Sequence, residues 1–283
     1  MAVPHSAAEV RETAQRLGVR PTRRLGQSFL IDPFVADAEA ALVGQVPGKS
    51  VVEVGGGLGI LTEALVRRGV SPLTVVERDP RLARHLRATF GERIGVIEGD
   101  ALTVTLPRAE VVVGNLPFSA GTPILQRLWR GGVPRVVALL QKEVVDRLSA
   151  GPDSKQYGRL TLQAALYGTV EPFQRVGASA FEPSPAVDGR LFQFTRRPGE
   201  LPVPSVDAFE STVRALFVSR RKQLGNLLPR VVRPPQLPDA VAASAGWPAQ
   251  WARLRPENLP PEAYFRLARA LAGEPTPGAP AAR

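Results

Sequence analysis

An apolar run, Val111-Val112-Val113-Gly114, ends in Asn115-Leu116-Pro117-Phe118. These residue types suit one difficult reaction, alkylation of the exocyclic amine of a nucleobase. That amine is a poor nucleophile because its lone pair is delocalised into the ring. The side-chain amide oxygen of Asn115 and the main-chain carbonyl of Leu116 can each accept one of its N–H groups. The nitrogen then pyramidalises and its lone pair turns out of the ring plane. Pro117 fixes the backbone, and Phe118 offers a face on which a flipped base stacks. A second cluster, Phe181-Glu182-Pro183-Ser184-Pro185-Ala186-Val187-Asp188, supplies Phe181 as the other slice of an aromatic sandwich, on a loop stiffened by proline.

The donor is read from a glycine turn. Val51-Val52-Glu53-Val54 runs into Gly55-Gly56-Gly57-Leu58-Gly59. A turn of this kind between a buried strand and a helix lets a ligand approach the backbone closely. The dinucleotide pattern G-x-G-x-x-G fails, because its third glycine would fall on Ile60 or Thr62. The pattern that fits is E-x-G-x-G-x-G, from Glu53 through Gly55, Gly57 and Gly59. It is the signature of enzymes that use S-adenosylmethionine, a cofactor with no pyrophosphate to cradle. Its sulfonium and ammonium suit an acidic neighbour such as Glu53. The next apolar run ends in Glu77, 20 residues after Gly57, where a carboxylate can accept both ribose hydroxyls. A third ends in Gly99-Asp100, and Asp100 can accept the amine of the cofactor's adenine.

These groups need a scaffold that presents strand ends side by side. Apolar runs at 50–54, 73–77, 94–98, 110–113 and 135–140 alternate with helical patterns near 59–69, 80–90 and 123–130. Strands alternating with helices predict an α/β fold, a mostly parallel sheet covered on both faces, with ligands outside the carboxyl ends of the strands. Asp32-Pro33, Asp79-Pro80 and Thr122-Pro123 each read as an N-cap followed by a first-turn proline. Residues 6–18 and 159–168 look helical, and strands at 169–177 and 188–196 are expected to pair at one sheet edge. The breaker cluster Arg196-Arg197-Pro198-Gly199-Glu200-Leu201-Pro202 marks a domain boundary. Beyond it lie only helical patterns, at 205–218, 220–228, 238–245 and 260–272. The expected organisation is a catalytic domain over 1–200, a small all-α domain over 201–272 and a disordered tail over 273–283.

Composition narrows the chemistry further. Of 283 residues, 36 are Lys or Arg and 26 are Asp or Glu, a net charge of +10, which points to a polyanionic partner. Between Ser211 and Pro238 stand Arg214, Arg220, Arg221, Lys222, Arg230 and Arg233 with no acid among them. Arg220, Arg221 and Lys222 are the expected RNA contacts. There is no cysteine and only two histidines, His5 and His85, so no metal site is expected. No apolar run suits a membrane span, and the N-terminus lacks the apolar stretch of a secretory signal. The expected address is the cytoplasm.

Taken together these blocks resemble the bacterial small-subunit (16S) rRNA adenine N6,N6-dimethyltransferases, the KsgA/RsmA family. The resemblance runs along nearly the whole chain. Besides the glycine turn and Asn115-Leu116-Pro117-Phe118, it rests on Leu25-Gly26-Gln27-Ser28-Phe29-Leu30, Gln141-Lys142-Glu143-Val144, Tyr157-Gly158-Arg159-Leu160-Thr161-Leu162 and the Phe181 cluster. The last block is Phe217-Val218-Ser219-Arg220-Arg221-Lys222-Gln223-Leu224-Gly225-Asn226. The resemblance implies a Rossmann-like class I methyltransferase fold and S-adenosylmethionine as donor. It implies dimethylation of two adjacent adenosines near the 3′ end of 16S rRNA, within the immature small subunit, by a monomer. It places cofactor contacts on Ser28, Leu30, Gly55, Glu77, Asp100 and Asn115. The chain has Ser28, Phe118, Gly56 and Gly189 where the family usually has Asn, Tyr, Pro and Ser. Two alternatives share the fold: a macrolide-resistance 23S rRNA adenine N6-methyltransferase, against which the basic C-terminal block argues, and an assembly or transcription factor that has lost methylation, against which Glu77, Asp100 and Asn115 argue.

Overall fold

In the computed structural model, residues 2–20, 28–44, 48–231 and 247–273 are described. The elements follow in the order α1 (Ala7–Arg16), β1 (Phe29–Leu30), α2 (Pro33–Val43), β2 (Val51–Val54), α3 (Ile60–Arg67), β3 (Leu73–Glu77), α4 (Pro80–Phe90), β4 (Gly95–Glu98), β5 (Val111–Asn115), α5 (Gly121–Arg130), β6 (Arg135–Gln141), α6 (Lys142–Leu148), α7 (Arg159–Tyr167), β7 (Gly168–Val176), β8 (Phe181–Glu182), β9 (Gly189–Arg196), α8 (Val206–Phe217), α9 (Leu224–Val231) and α10 (Pro261–Leu271).

Seven strands form one sheet in the order β4-β3-β2-β5-β6-β9-β7. The first five are parallel, and β9 joins β6 antiparallel, with Arg135 opposite Thr195 and Gln141 opposite Gly189. Parallel strands are covered on both faces and therefore read as unbroken apolar runs. Val51, Val52 and Val54, Val75 and Val76, and Val111 to Val113 are accordingly all buried. After β4 the chain returns to the far side of β2 to form β5, so the order reverses between β2 and β5. A ligand crevice opens at such a reversal, outside the strands' carboxyl ends. The fold is the doubly covered, mostly parallel α/β sheet that the alternation predicts, and β7 and β9 lie together at one edge as expected.

Asp32 and Asp79 cap α2 and α4, accepting the N–H groups of Phe34 at 2.9 Å and Arg81 at 2.8 Å, each with proline in the first turn. The third cap differs. α5 starts at Gly121, with Ala120 rather than Thr122 before it, because the Pro117 carbonyl accepts the N–H groups of both Ala120 (2.9 Å) and Gly121 (2.7 Å). β1 and β8, two residues each, pair antiparallel and set Leu30 opposite Phe181. Elements this short leave no periodicity in the sequence.

The chain forms two compact units, and the division differs from a cut at residue 200. The first holds the residues up to Val145 together with Val170–Arg196; the second holds Asp146–Thr169 with the residues from Arg197 onward. The reason lies in the partners of α7, which packs on α8 and α10. In the same unit Tyr157 donates its hydroxyl to the Leu259 carbonyl at 2.7 Å and stacks at an angle on Phe217, which in turn meets Tyr264. The expected helix at 238–245 and most of the expected tail lie outside the described residues.

Candidate active site

One pocket gathers the sequence-predicted groups at the carboxyl ends of β2, β3, β4 and β5. Its wall includes Ser28, Gly55, Gly57, Glu77, Asp100, Asn115, Leu116, Pro117, Phe118 and Phe181. Two predicted residues are not brought to it. Leu30 is 4% exposed and packs in the core with Val35 and Ala36, so it acts on the pocket by pinning Phe181 across the β1–β8 pair. Glu53 is 1% exposed and turned away from the wall. It still belongs to β2, two residues before the turn, and its Oε2 accepts the Thr62 hydroxyl from α3 at 2.7 Å. Burial pushes its carboxyl up to about 8, against which the Thr62 bond works. Glu53 therefore faces a helix, not a cation.

Glu77 ties the pocket together. Its Oε2 accepts the Gly57 N–H at 2.9 Å and its Oε1 the Asp79 N–H at 2.8 Å, so one carboxylate spans the glycine turn and the start of α4. Each oxygen keeps a second lone pair for a ligand hydroxyl. Burial raises its pKa, and those backbone hydrogen bonds oppose the rise. Gly57 has φ +55°, and a Cβ there would lie 3.2 Å from the Phe29 ring, so the turn closes against Phe29 only with glycine. Gly56, where the family usually has proline, is confined by side chains alone: a Cβ would come within 2.5 Å of Val75 Cγ1 and 2.8 Å of Leu86. Val75 and Leu86 fill the space a proline ring would need.

Asp100 organises the next strand end. Its Oδ1 accepts the Leu102 N–H at 2.8 Å, and its Oδ2 lies 3.6 Å from the Arg78 guanidinium. Asp79 also lines the pocket, and Arg81 holds its carboxyl below the usual range. Among the described residues of the wall, the acids Glu77, Asp79 and Asp100 face the cavity against the one base Arg78, between apolar walls from Leu82, Ile124 and Leu139. Such a rim favours a ligand that carries positive charge and an apolar ring. Arg78, Leu82, Ile124 and Leu139 carry no motif of their own in the sequence, and only their proximity to the strand ends marks them; Phe29 lies in the Leu25–Leu30 block, where nothing singles it out as a wall residue.

Asn115 ends β5, and among the described residues its buried Oδ1 has no hydrogen-bond donor. A buried carbonyl oxygen left unpaired costs about 1–3 kcal/mol; here it is an unused acceptor beside the pocket. The Leu116 N–H donates to the Leu139 carbonyl at 3.2 Å, which anchors the segment to β6. Phe118 and Phe181 meet edge to face, with ring centroids 6.3 Å apart and planes at 64°. A base between parallel rings needs about twice the ~3.5 Å contact distance. The two rings touch one another and do not form an open sandwich; the half-buried Phe118 keeps a face towards the pocket, while Phe181 is 3% exposed.

The three predicted RNA contacts separate. They lie in the turn between α8 and α9, closed by the Lys222 N–H on the Ser219 carbonyl at 2.8 Å, not in a helix from 220. Arg220 is held inside its unit, donating to Glu257 at 2.7 Å and to the Lys155 carbonyl at 3.3 Å. Arg221 and Lys222 are exposed. Among the described residues no group of three or more His, Asp or Glu could hold a metal ion, and no helix is long and apolar enough to cross a membrane.

Residues 19–240 match the family described as ribosomal RNA adenine dimethylase. The chain belongs to this family. It is 36% identical over 268 residues to the ribosomal RNA small subunit methyltransferase A of Vibrio cholerae, covering 90% of this chain and 95% of the relative. The Yersinia enterocolitica protein of the same name is 36% identical over 269 residues, with the same coverage. Among solved structures, a dimethyladenosine transferase from Plasmodium falciparum superposes with a TM-score of 0.74 at 21% identity, over 84% of this chain and 95% of that one. The 23S rRNA methyltransferase ErmE gives 0.67 at 26% identity, over 86% and 99%.

Proposed function

We propose that this enzyme transfers methyl groups from S-adenosylmethionine to the N6 amines of two adjacent adenosines near the 3′ end of 16S rRNA, acting as a monomer on the immature small subunit. Family membership supports the reaction class. At the site, the observation that carries the reading is the unpaired, buried Oδ1 of Asn115 at the end of β5. The cofactor supplies a methyl group activated by its sulfonium. Glu77 accepts the ribose hydroxyls with the lone pairs left by Gly57 and Asp79, and Asp100 Oδ2 accepts the adenine amine.

On the substrate side the target adenine, flipped from its strand, stacks on Phe118. Asn115 and the Leu116 carbonyl accept its two N6 hydrogens, and Pro117 holds both acceptors in place. The ammonium product loses its proton to water, so the site needs no general base. After one transfer a single N–H remains, and orientation for the second leans on Phe118. Arg221 and Lys222 contact RNA phosphates. The test is Asn115→Ala on unmodified small subunits. Losing an oriented acceptor costs about 3 kcal/mol of transition-state stabilisation, a rate loss above 100-fold. Methylation within tenfold of wild type refutes this role for Asn115.

A further inference from the structure

The loop after β4 has two sides. Its N–H groups are gathered on Asp100: Leu102 donates to Oδ1 at 2.8 Å, and Thr103 and Val104 donate to the main-chain carbonyl at 2.9 and 2.8 Å. The carbonyls of Ala101 and Val104 are both taken by one side chain, Arg127 of α5. Its Nη2 donates to Val104 at 2.6 Å and its Nη1 to Ala101. Both bonds go to main-chain oxygens and not to a carboxylate. Arginine suits this task because its planar fork serves two acceptors in fixed geometry.

The position of Arg127 on α5 gives the clamp its meaning. Ala120 and Ile124 line the pocket, and 120, 124 and 127 share one helix face. The same helix opens on the Pro117 carbonyl, directly after Asn115-Leu116-Pro117-Phe118. Seven residues of helix, Gly121 to Arg127, with a rise of about 9 Å, therefore join the amine-orienting segment to the loop that carries Asp100. Apart from the clamp, among the described residues the hydrogen bonds of 101–104 run within the turn itself, and Leu102 is 37% exposed.

We propose that Arg127 is a positioning residue that holds the Asp100 loop in register with Asn115–Phe118, so that the cofactor's adenine and the target amine are placed by one rigid helix. The proposal rests on the reading of Asp100 given above. Without the fork the loop must be ordered at the moment of binding, and the apparent affinity is the intrinsic one multiplied by the fraction of time the loop is already in place.

Binding of S-adenosylhomocysteine to wild type, Arg127→Met, Arg127→Lys and Arg127→Ala, measured by calorimetry, tests it. The expected result is a Kd raised about tenfold in Arg127→Met, the scale of two lost charge-assisted hydrogen bonds that preorganise a loop. Arg127→Lys recovers less than half of the loss on a logarithmic scale, since an ammonium has no planar fork. Millimolar methylguanidinium restores affinity to Arg127→Ala. A Kd for Arg127→Met within twofold of wild type overturns the proposal. So does a raised Kd that neither lysine nor methylguanidinium improves, because that is the behaviour of a merely structural side chain. Wild type that fails to bind S-adenosylhomocysteine removes the cofactor reading itself, and the proposal with it.

Discussion

Glu53 offers a prediction that follows from burial alone. Its pKa rises from the ordinary 4.5 to about 8 because the carboxyl is taken out of water between β2 and α3. Between those values the folded chain keeps a proton that the unfolded chain has released. Folding stability is therefore fullest below pH 4.5 and declines as pH rises towards 8, at about 1.4 kcal/mol per pH unit. Across the window this amounts to about 5 kcal/mol. Glu53→Gln keeps the shape and the acceptor for Thr62 but cannot ionise. Urea unfolding of both proteins at several pH values from 5 to 8.5 measures the difference. Near pH 5 the two proteins should lie within about 1 kcal/mol, and by pH 8 the Gln variant should be the more stable by several. Glu39 on α2, completely buried, is also pushed upward, first by burial and then by the charge of Glu53, so the difference read between the two proteins carries that coupling as well. A stability difference that stays flat across this range would show that Glu53 is ionised in the folded chain and refute the argument.

Glu77→Ala should weaken S-adenosylhomocysteine binding at least tenfold, as two hydroxyl acceptors and the tether on Gly57 disappear together, while RNA affinity is unchanged; equal cofactor affinity in a titration would move the ribose site elsewhere. Arg221→Ala with Lys222→Ala should flatten the dependence of log K for RNA on log salt by up to two contacts at roughly 0.7–0.9 each. Arg220→Ala should instead lower the melting temperature and leave that slope unmoved, and a salt slope that tracks Arg220 would reverse the assignment. Phe118→Ala should let N6-monomethyladenosine accumulate in a time course read by nucleoside mass spectrometry, because the second methyl depends most on stacking; a normal dimethyl product would put the base elsewhere.

The sheet was legible because parallel strands buried on both faces leave unbroken valine runs, and the site was legible because three of those runs end in Glu77, Asp100 and Asn115. What the letters hide is direction. Glu53 stands in the same motif as Gly55 and Gly57, yet the strand continues through it and turns its side chain towards Thr62. Leu30 adjoins the wall residues Ser28 and Phe29 but packs inward. Three consecutive cations at 220–222 look equivalent until Glu257, distant in sequence, captures one of them. α7 lies between the sheet strands β6 and β7 in the chain, but its apolar face is satisfied by α8 and α10, far later in the sequence, a pairing no local pattern announces.

The antiparallel seam between β6 and β9 bears on how the chain is made. β6 is buried from Val136 to Leu140, and its outer neighbour does not exist until residues 189–196 have been synthesised. Until then the nascent sheet ends in an open apolar edge, the template that invites wrong pairing with another chain. The helix at 159–167 emerges in the same interval, with its partners at 206–217 and 261–271 still untranslated. A translational pause between residues 168 and 196 therefore exposes both surfaces at once. Slow codons in that stretch should lower the soluble yield more than the same codons placed after residue 200.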